Sequence, residues 1–257
     1  MVTFTLPKEL RGLIRQHRRI GYDLLMRCAA QTLKTFARND KTLAGELGFC
    51  AVLHTHTRRL AYHPHVHLVV PGGAIDTARR QWRTVRGRYL FNGRALAKAF
   101  RGTLLKALSE AGLRPGRTPK KWVAQCQRVG KGQEALRYLA RYLYRGVLSN
   151  ANLLDDDGRN VTFQYLDAET HQWQTRTVSG EKFLALILQH CLPKGFRRAR
   201  DYGYLHGNAK AVLRIVQWVF RVVIKPPSTK KPASWPCPHC GAPMRVSAVL
   251  LPRVRPG

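Results

Sequence analysis

The sequence predicts an α+β fold in which helices cover an antiparallel sheet. Short segments of β-branched and aromatic residues follow one another, often with no helix between them, which favours antiparallel pairing. Longer segments repeat apolar residues at helical spacing. The predicted strands cover residues 2–6, 48–57, 66–70, 81–91 (as a strand pair), 122–129, 161–166 and 172–178. The predicted helices cover residues 8–38 (as one helix or two), 96–111, 134–148, 182–192 and 209–223.

Several predicted elements end at a residue that stops a strand or a helix. The first strand alternates and stops at Pro7. The helical segment that follows places arginines between its apolar positions, which indicates a basic outer face. The strand over 66–70 ends at the turn Pro71-Gly72-Gly73, and the helix over 182–192 ends at Pro193. The elements are therefore short and well bounded, as this fold class requires.

The charge of the chain indicates a polyanionic partner. Its 257 residues include 45 lysines and arginines against 14 aspartates and glutamates, a formal net charge of +31. Hydrophobic residues make up 44%, which is enough for a core. A compact chain tolerates this self-repulsion best when nucleic acid neutralises it. Nucleases built on dispersed carboxylates have few candidates here, because Asp155-Asp156-Asp157 adjoins Gly158 in a predicted hairpin turn.

Composition divides the chain into a main domain over residues 1–224, a linker over 225–235 and a tail over 236–257. The linker is rich in proline and lysine. Cys237 and Cys240 in the tail are spaced like zinc ligands, whereas the other four cysteines are scattered and predicted to be core thiols. A structural Zn²⁺ needs four ligands, so this pair is either half of a site that another chain completes or a decayed zinc ribbon.

The sequence offers no sign of a membrane segment. No run of about 18 apolar residues occurs, and the first residues lack the basic and apolar regions of a signal peptide. The scattered cysteines are typical of a reducing compartment. We therefore expect a cytoplasmic protein, associated with the nucleoid through its charge.

Five of the ten histidines fall within 14 positions and predict a metal site. Side chains alternate along a strand, so His63, His65 and His67 share a face if that segment is extended. His54 and His56 share a face on the preceding strand, which can pair with the first. Cross-strand neighbours are close enough to share one ion, which favours a metal site over ordinary core or surface histidines. Zn²⁺, Mg²⁺ and Mn²⁺ all remain open.

The predicted helix over 134–148 carries two tyrosines one turn apart, Tyr138 and Tyr142. They lie between an apolar arc and the arginine stripe Arg137, Arg141 and Arg145. From this helix alone, the tyrosines could simply cover the edge of a core. Two phenols beside arginines are also what an enzyme needs if a tyrosine attacks phosphorus and arginine neutralises the developing charge.

Two motifs in this order resemble a known family. His65-Val66-His67 is similar to the His-hydrophobe-His (HUH) motif of rolling-circle insertion-sequence transposases of the insertion-sequence-91 type. Tyr138-x-x-x-Tyr142 resembles their two-tyrosine motif. The segments at 3–7 and 192–203 are also similar, so the resemblance covers roughly residues 2–220.

The resemblance implies an HUH endonuclease-like sheet and a transposase that nicks and rejoins single-stranded DNA. Tyr138 and Tyr142 are the implied nucleophiles, which become linked to a 5′ phosphate. His65 and His67 are the implied ligands of Mg²⁺ or Mn²⁺. His54 is our preferred third ligand, and His56 and Gln133 are its rivals. The arginines expected to contact DNA are Arg83, Arg86, Arg137, Arg141, Arg145, Arg197 and Arg198.

Two alternatives to a transposase stay open. A rolling-circle replication initiator would use the same chemistry, and a basic DNA-binding relic would use none. Members of the family usually carry a cysteine-rich zinc module before the first strand, and we expect this chain to lack it. The sequence does not predict the oligomeric state.

Overall fold

The computed structural model describes residues 1–85, 87, 90–130, 132–134, 137, 140, 147–167, 170–223 and 235–244. The chain divides into two compact units, Met1–Arg221 and Val222–Gly257. The first unit is α+β, with an antiparallel sheet covered by helices, which confirms the predicted fold class. Among the described residues, no helix has the length and apolar character needed to span a membrane.

The elements follow in this order along the chain. The strands of the first unit are β1 (Val2–Thr5), β2 (Gly48–His56), β3 (Tyr62–Val69), β4 (Gly73–Asp76), β5 (Gln81–Thr84), β6 (Ala124–Cys126), β7 (Leu153–Asp156), β8 (Asn160–Leu166), β9 (Trp173–Ser179) and β10 (Ala199–Gly203). Its helices are α1 (Lys8–Gln16), α2 (Arg18–Asn39), α3 (Gly93–Glu110), α4 (Gly180–Leu188) and α5 (Lys210–Val219). In the second unit, β11 (Trp235–Pro236) pairs with β12 (Pro243–Met244).

A five-stranded antiparallel sheet forms the centre of the first unit. Its strand order is β10-β2-β3-β1-β6, so β3 lies in the middle. Smaller sheets pair β4 with β5 and β7 with β8 and β9. The side chains of β1 and β3 alternate between the two faces of the central sheet. One face therefore has to be covered by helices, and the other is left for polar residues.

The helices cover the apolar face of the central sheet. Phe4 of β1 is fully buried and packs on Phe100 of α3, with 4.6 Å between ring centroids. Val66 and Leu68 of β3 are buried in the same core as the apolar residues of α2. The residues between them, His65 and His67, belong to the opposite face. The core thus fixes which face of the sheet presents the histidines.

Several predicted boundaries change in the structure. The segment over 8–38 forms two helices, one of the two predicted arrangements, because the backbone at His17 leaves the helical conformation. The helix predicted over 182–192 ends earlier, at Leu188. The predicted strand pair over 81–91 is replaced by β4 pairing with β5, while residues 86, 88 and 89 lie outside the described residues. Strands β7 and β10 were not expected.

Candidate metal centre

Two neighbouring strands bring three histidines together on one face of the sheet. His65 of β3 lies opposite His54 of β2 in the strand register. His67, two residues along β3, lies opposite Val52 of β2 and Thr3 of β1. Because β3 is the middle strand, its histidines are flanked on both sides. The predicted pairing of the two histidine strands is therefore present.

The three imidazoles are close enough to hold one metal ion. The ring of His54 lies 5.1 Å from that of His65 and 4.4 Å from that of His67, between centroids. The rings of His65 and His67 are 4.8 Å apart. One nitrogen of each ring can be chosen so that all three lie within 4.8 Å of one another. Small ring movements would place all three on a single ion.

Hydrogen bonds orient two of the three rings. The Nδ1 atom of His65 lies 2.7 Å from the backbone carbonyl oxygen of His63. Since a carbonyl only accepts, this Nδ1 carries the proton and Nε2 keeps its lone pair for a metal. The Nδ1 atom of His67 lies 2.9 Å from the hydroxyl oxygen of Thr3, which is itself buried. Such outer hydrogen bonds fix the tautomer and direction of a ligating histidine.

Burial keeps the imidazoles neutral. The pKa of His67 is lowered from 6.5 to about 3, and the loss of solvent on burial is the largest cause of this shift. Burial also lowers the pKa of His54 and of His65. Metal ions bind the neutral form of imidazole. The three ligand candidates are therefore ready at neutral pH without first losing a proton.

His56 does not join these three histidines. It lies opposite Tyr62, whereas His54 lies opposite His65, so the strand register shifts between them. Pro64 lies within this bulge, where its missing N–H costs no ladder hydrogen bond. The ring of His56 instead lies 5.0 Å from that of His190. The structure therefore groups His54, rather than His56, with the motif histidines.

An arginine that the sequence analysis did not select lies beside the histidines. Arg11 is in α1, and its charge helps to lower the pKa of His63 and of His65. Its Nε atom is buried and has no hydrogen-bond partner among the described residues. An unused guanidinium donor beside a cation site is well suited to holding an anion.

Arg198 lies on the other side of the histidines. It directly precedes β10, and its backbone carbonyl oxygen accepts a hydrogen bond of 2.9 Å from the N–H of Leu53 in β2. Its charge contributes to the lowered pKa of His54 and of His56, and burial lowers the pKa of Arg198 itself. One of the arginines predicted to bind DNA is therefore close to the histidines.

Comparison with known proteins identifies the family. Residues 48–212 match the family model described as "Putative transposase". The chain is 35% identical over 241 residues to "Putative transposase y4qJ" of Sinorhizobium fredii, covering 84% of the chain and 60% of that relative. It is 30% identical over 222 residues to "Transposase for insertion sequence element IS801" of Pseudomonas savastanoi pv. phaseolicola, covering 79% and 53%.

The chain belongs to this family of insertion-sequence transposases. It spans 60% and 53% of the lengths of these two relatives. Among solved structures it is similar to "Conjugative Relaxase TrwC in complex with mutant OriT Dna", with 17% identity and a TM-score of 0.37 over 85% of this chain and 70% of that one.

A cleft opens on the same face of the central sheet as the three histidines. A cleft of about 730 Å³ is lined by Cys50 of β2 and Val69 of β3. Val69 lies two residues beyond His67 and therefore on the same face of β3. Gly130 and Gly132, which precede the predicted tyrosine helix, line the cleft as well. A cleft of this size accommodates a small organic group such as a nucleotide.

The other predicted site residues fall into three groups. Arg83 is paired, because its guanidinium lies 2.6 Å from the carboxylate of Asp76. Arg137, Arg197 and Gln133 are exposed. The remaining residues lie outside the described part of the chain: Tyr138, Tyr142, Arg86, Arg141 and Arg145. The charge of Arg83 is thus already engaged by a carboxylate.

Sequence reasoning missed Thr3, Arg11 and His190. The alternation of β1 did place Thr3 on the face opposite Val2 and Phe4, which is a signal for a polar role. The contact between Thr3 and His67 follows from the pairing of β1 with β3, and sequence periodicity does not predict which strands pair. Arg11 reaches the three histidines, and His190 reaches His56 outside them, only through tertiary packing.

The Thr3 hydroxyl is predicted to support metal binding. Thr3→Val removes the group that orients His67 but keeps the shape of the side chain, so we expect metal affinity to fall by about 10- to 100-fold. Isothermal titration of the purified chain with Mn²⁺ measures this. Thr5→Val is the matched control, because Thr5 lies opposite His65 in the same strand and makes no side-chain hydrogen bond to a described residue. Equal losses in both variants would contradict the assignment.

The buried histidines are predicted to make the metal-free protein sensitive to acid. Below the ordinary pKa of 6.5 the unfolded state binds protons, whereas folded His67 stays neutral to about pH 3. The free energy of unfolding therefore falls as the pH drops from 7 to 5, by about 2 kcal/mol for His67. Urea unfolding in the presence of EDTA measures it. His67→Gln should reduce this pH dependence, and His17→Gln, at an exposed position, should not.

Proposed function

We propose that the chain is the catalytic core of a transposase that nicks and rejoins single-stranded DNA through a 5′-phosphotyrosine. The observation that carries this proposal is the convergence of His54, His65 and His67 on one face of the sheet, with ligand atoms within 4.8 Å of one another. Membership of an insertion-sequence transposase family supports it. The net charge of +31 supports a nucleic-acid substrate.

In this proposal the three histidines hold a divalent metal ion, Mg²⁺ or Mn²⁺. Their donor set fits such an ion, because all three rings are neutral and the Nε2 of His65 is left with its lone pair. When bound, the ion withdraws charge from a non-bridging oxygen of the scissile phosphate. His54, His65 and His67 would hold such an ion, because three protein ligands are the number typical of a catalytic rather than a structural site.

Tyr138 or Tyr142 supplies the nucleophile. Its phenol oxygen forms a bond to phosphorus and loses its proton, while the bond from phosphorus to the 3′ oxygen breaks and that oxygen gains a proton. The phosphotyrosine keeps the bond energy, so a later 3′-OH can reverse the step without ATP. Two tyrosines would allow two successive exchanges. Support for these roles comes from their spacing in the sequence and from the glycines that precede them at the cleft.

Arg11 and Arg198 neutralise the phosphate from two sides. Arg11 follows β1 and Arg198 precedes β10, so they flank the histidine strands β3 and β2. A phosphoryl group gains charge on its equatorial oxygens as it is transferred, and fixed guanidinium donors stabilise that charge. The unpartnered Nε of Arg11 is available for this role.

A covalent-adduct assay tests the proposed chemistry. The chain is mixed with single-stranded oligonucleotides from the element ends, labelled at either the 5′ or the 3′ end, in the presence of Mn²⁺. We expect an adduct that keeps the 3′ label, because the tyrosine stays on the 5′ phosphate of the downstream fragment. Tyr138→Phe/Tyr142→Phe and His65→Ala/His67→Ala should abolish it, whereas Tyr144→Phe, the matched control from the same segment, should retain it.

Two results would overturn the proposal. An adduct that persists in the double-tyrosine variant would assign the nucleophile elsewhere. Salt-sensitive DNA binding without an adduct, on either strand and with either metal, would leave a basic DNA-binding protein that lacks the chemistry.

Arg11 is predicted to act on the rate of nicking. Arg11→Gln removes a donor that faces the phosphate, so single-turnover nicking at saturating DNA should slow by about 10²- to 10³-fold. Arg114→Gln is the control, because Arg114 is exposed and its loss changes the net charge equally. If both variants lower DNA affinity alike and leave the saturated rate unchanged, Arg11 contributes only to general electrostatic attraction.

A further inference from the structure

The second unit contains a tight turn with two cysteines. Cys237 follows β11, and its N–H donates to the carbonyl oxygen of Ala242 at 2.8 Å. The N–H of Gly241 donates back to the carbonyl oxygen of Cys237, also at 2.8 Å. Gly241 has a φ of +71°, which favours glycine at this position. The pairing of β11 with β12 closes the turn.

The backbone of the turn stabilises the thiolate form of Cys237. The backbone N–H groups of His239 and Cys240 both donate to the sulfur of Cys237, and these hydrogen bonds are the main cause of its lowered pKa. Cys240 is exposed and also interacts with the sulfur of Cys237. A sulfur that accepts backbone N–H groups is favoured in its charged form, which is the form that binds metal.

The second unit cannot complete a zinc site by itself. Among its residues 222–257, the sequence contains three side chains that commonly bind zinc: Cys237, His239 and Cys240. His239 lies inside the turn, next to Cys240, where its ring is poorly placed to join both sulfurs on one ion. A structural Zn²⁺ has four ligands, so two must come from outside this unit.

Most cysteines of the first unit are poor donors for such a site. Burial raises the pKa of Cys28 to about 11 and that of Cys50 to about 12, which holds both thiols protonated. Cys126 is half-buried in the central sheet, and Cys191 is exposed. A second copy of the chain, in contrast, brings an identical pair in one step, because a two-fold axis repeats the same surface in both copies.

We propose that Cys237 and Cys240 form half of a tetrathiolate zinc site that a second copy of the chain completes, which makes the transposase chain a zinc-linked dimer. Each of the four thiols loses its proton to solvent as its sulfur binds Zn²⁺. This site is separate from the histidine centre and does not depend on the nicking chemistry.

Metal content and molar mass test the proposal together. The full chain is purified with reductant and Zn²⁺, and its zinc is measured by mass spectrometry and its mass by light scattering. We expect wild type to be a dimer with about one zinc per two chains more than Cys237→Ser/Cys240→Ser, which should be a monomer. Cys191→Ser is the matched control and should match wild type, because Cys191 is an exposed cysteine outside the turn.

Two measurements on wild type avoid reliance on the folding of a variant. A chelator should convert the dimer to monomer, and Zn²⁺ but not Mg²⁺ should restore it. Replacement of zinc by Co²⁺ should give the strong thiolate-to-cobalt absorption of a four-sulfur site. Equal zinc in wild type and the double-serine variant would overturn the proposal. A monomer with one thiol-bound zinc per chain would overturn its dimeric part.

Discussion

The pairing register of β1, β3 and β2 is the constraint on which the site depends. In this register Thr3 and Val52 lie on either side of His67, while Val66 and Leu68 point into the core. A slip of one residue would turn the histidines into the helix layer and the apolar residues out of it. Each fully buried apolar side chain contributes roughly 1.5–3 kcal/mol, so the core on one face holds the histidines in place on the other.

Two arginines concentrate positive charge around the three histidines. Neutral imidazoles would leave the charge of a bound divalent ion uncompensated, and Arg11 and Arg198 add to it from both sides. Positive charge without a counter-charge is costly to bury, so these arginines and a bound divalent ion would favour an anionic group beside them. Over the whole chain, a net charge of +31 likewise favours the binding of a polyanion.

The sequence predicted those features of the site that follow from local alternation. The shared face of His65 and His67 follows from period two, whereas the preference for His54 over His56, which has the same parity, came from the family resemblance and from the apolar residues before it. The structure brings His54, His65 and His67 together. The separation of His56 depends on a bulge, which becomes visible only when the paired strands are known. Strand β10 was missed because Ala199–Gly203 has no apolar alternation, and its place at the sheet edge comes from long-range pairing with β2.

Diffraction at the manganese absorption edge, from crystals of the chain grown with Mn²⁺, tests the central claim most directly. We expect a single strong anomalous peak bounded by the Nε2 atom of His65 and by ring nitrogens of His54 and His67. Because the peak locates the ion without reference to activity, it separates metal binding from catalysis. A peak between His56 and His190, or none on this face of the sheet, would show that His54, His65 and His67 do not form the metal site.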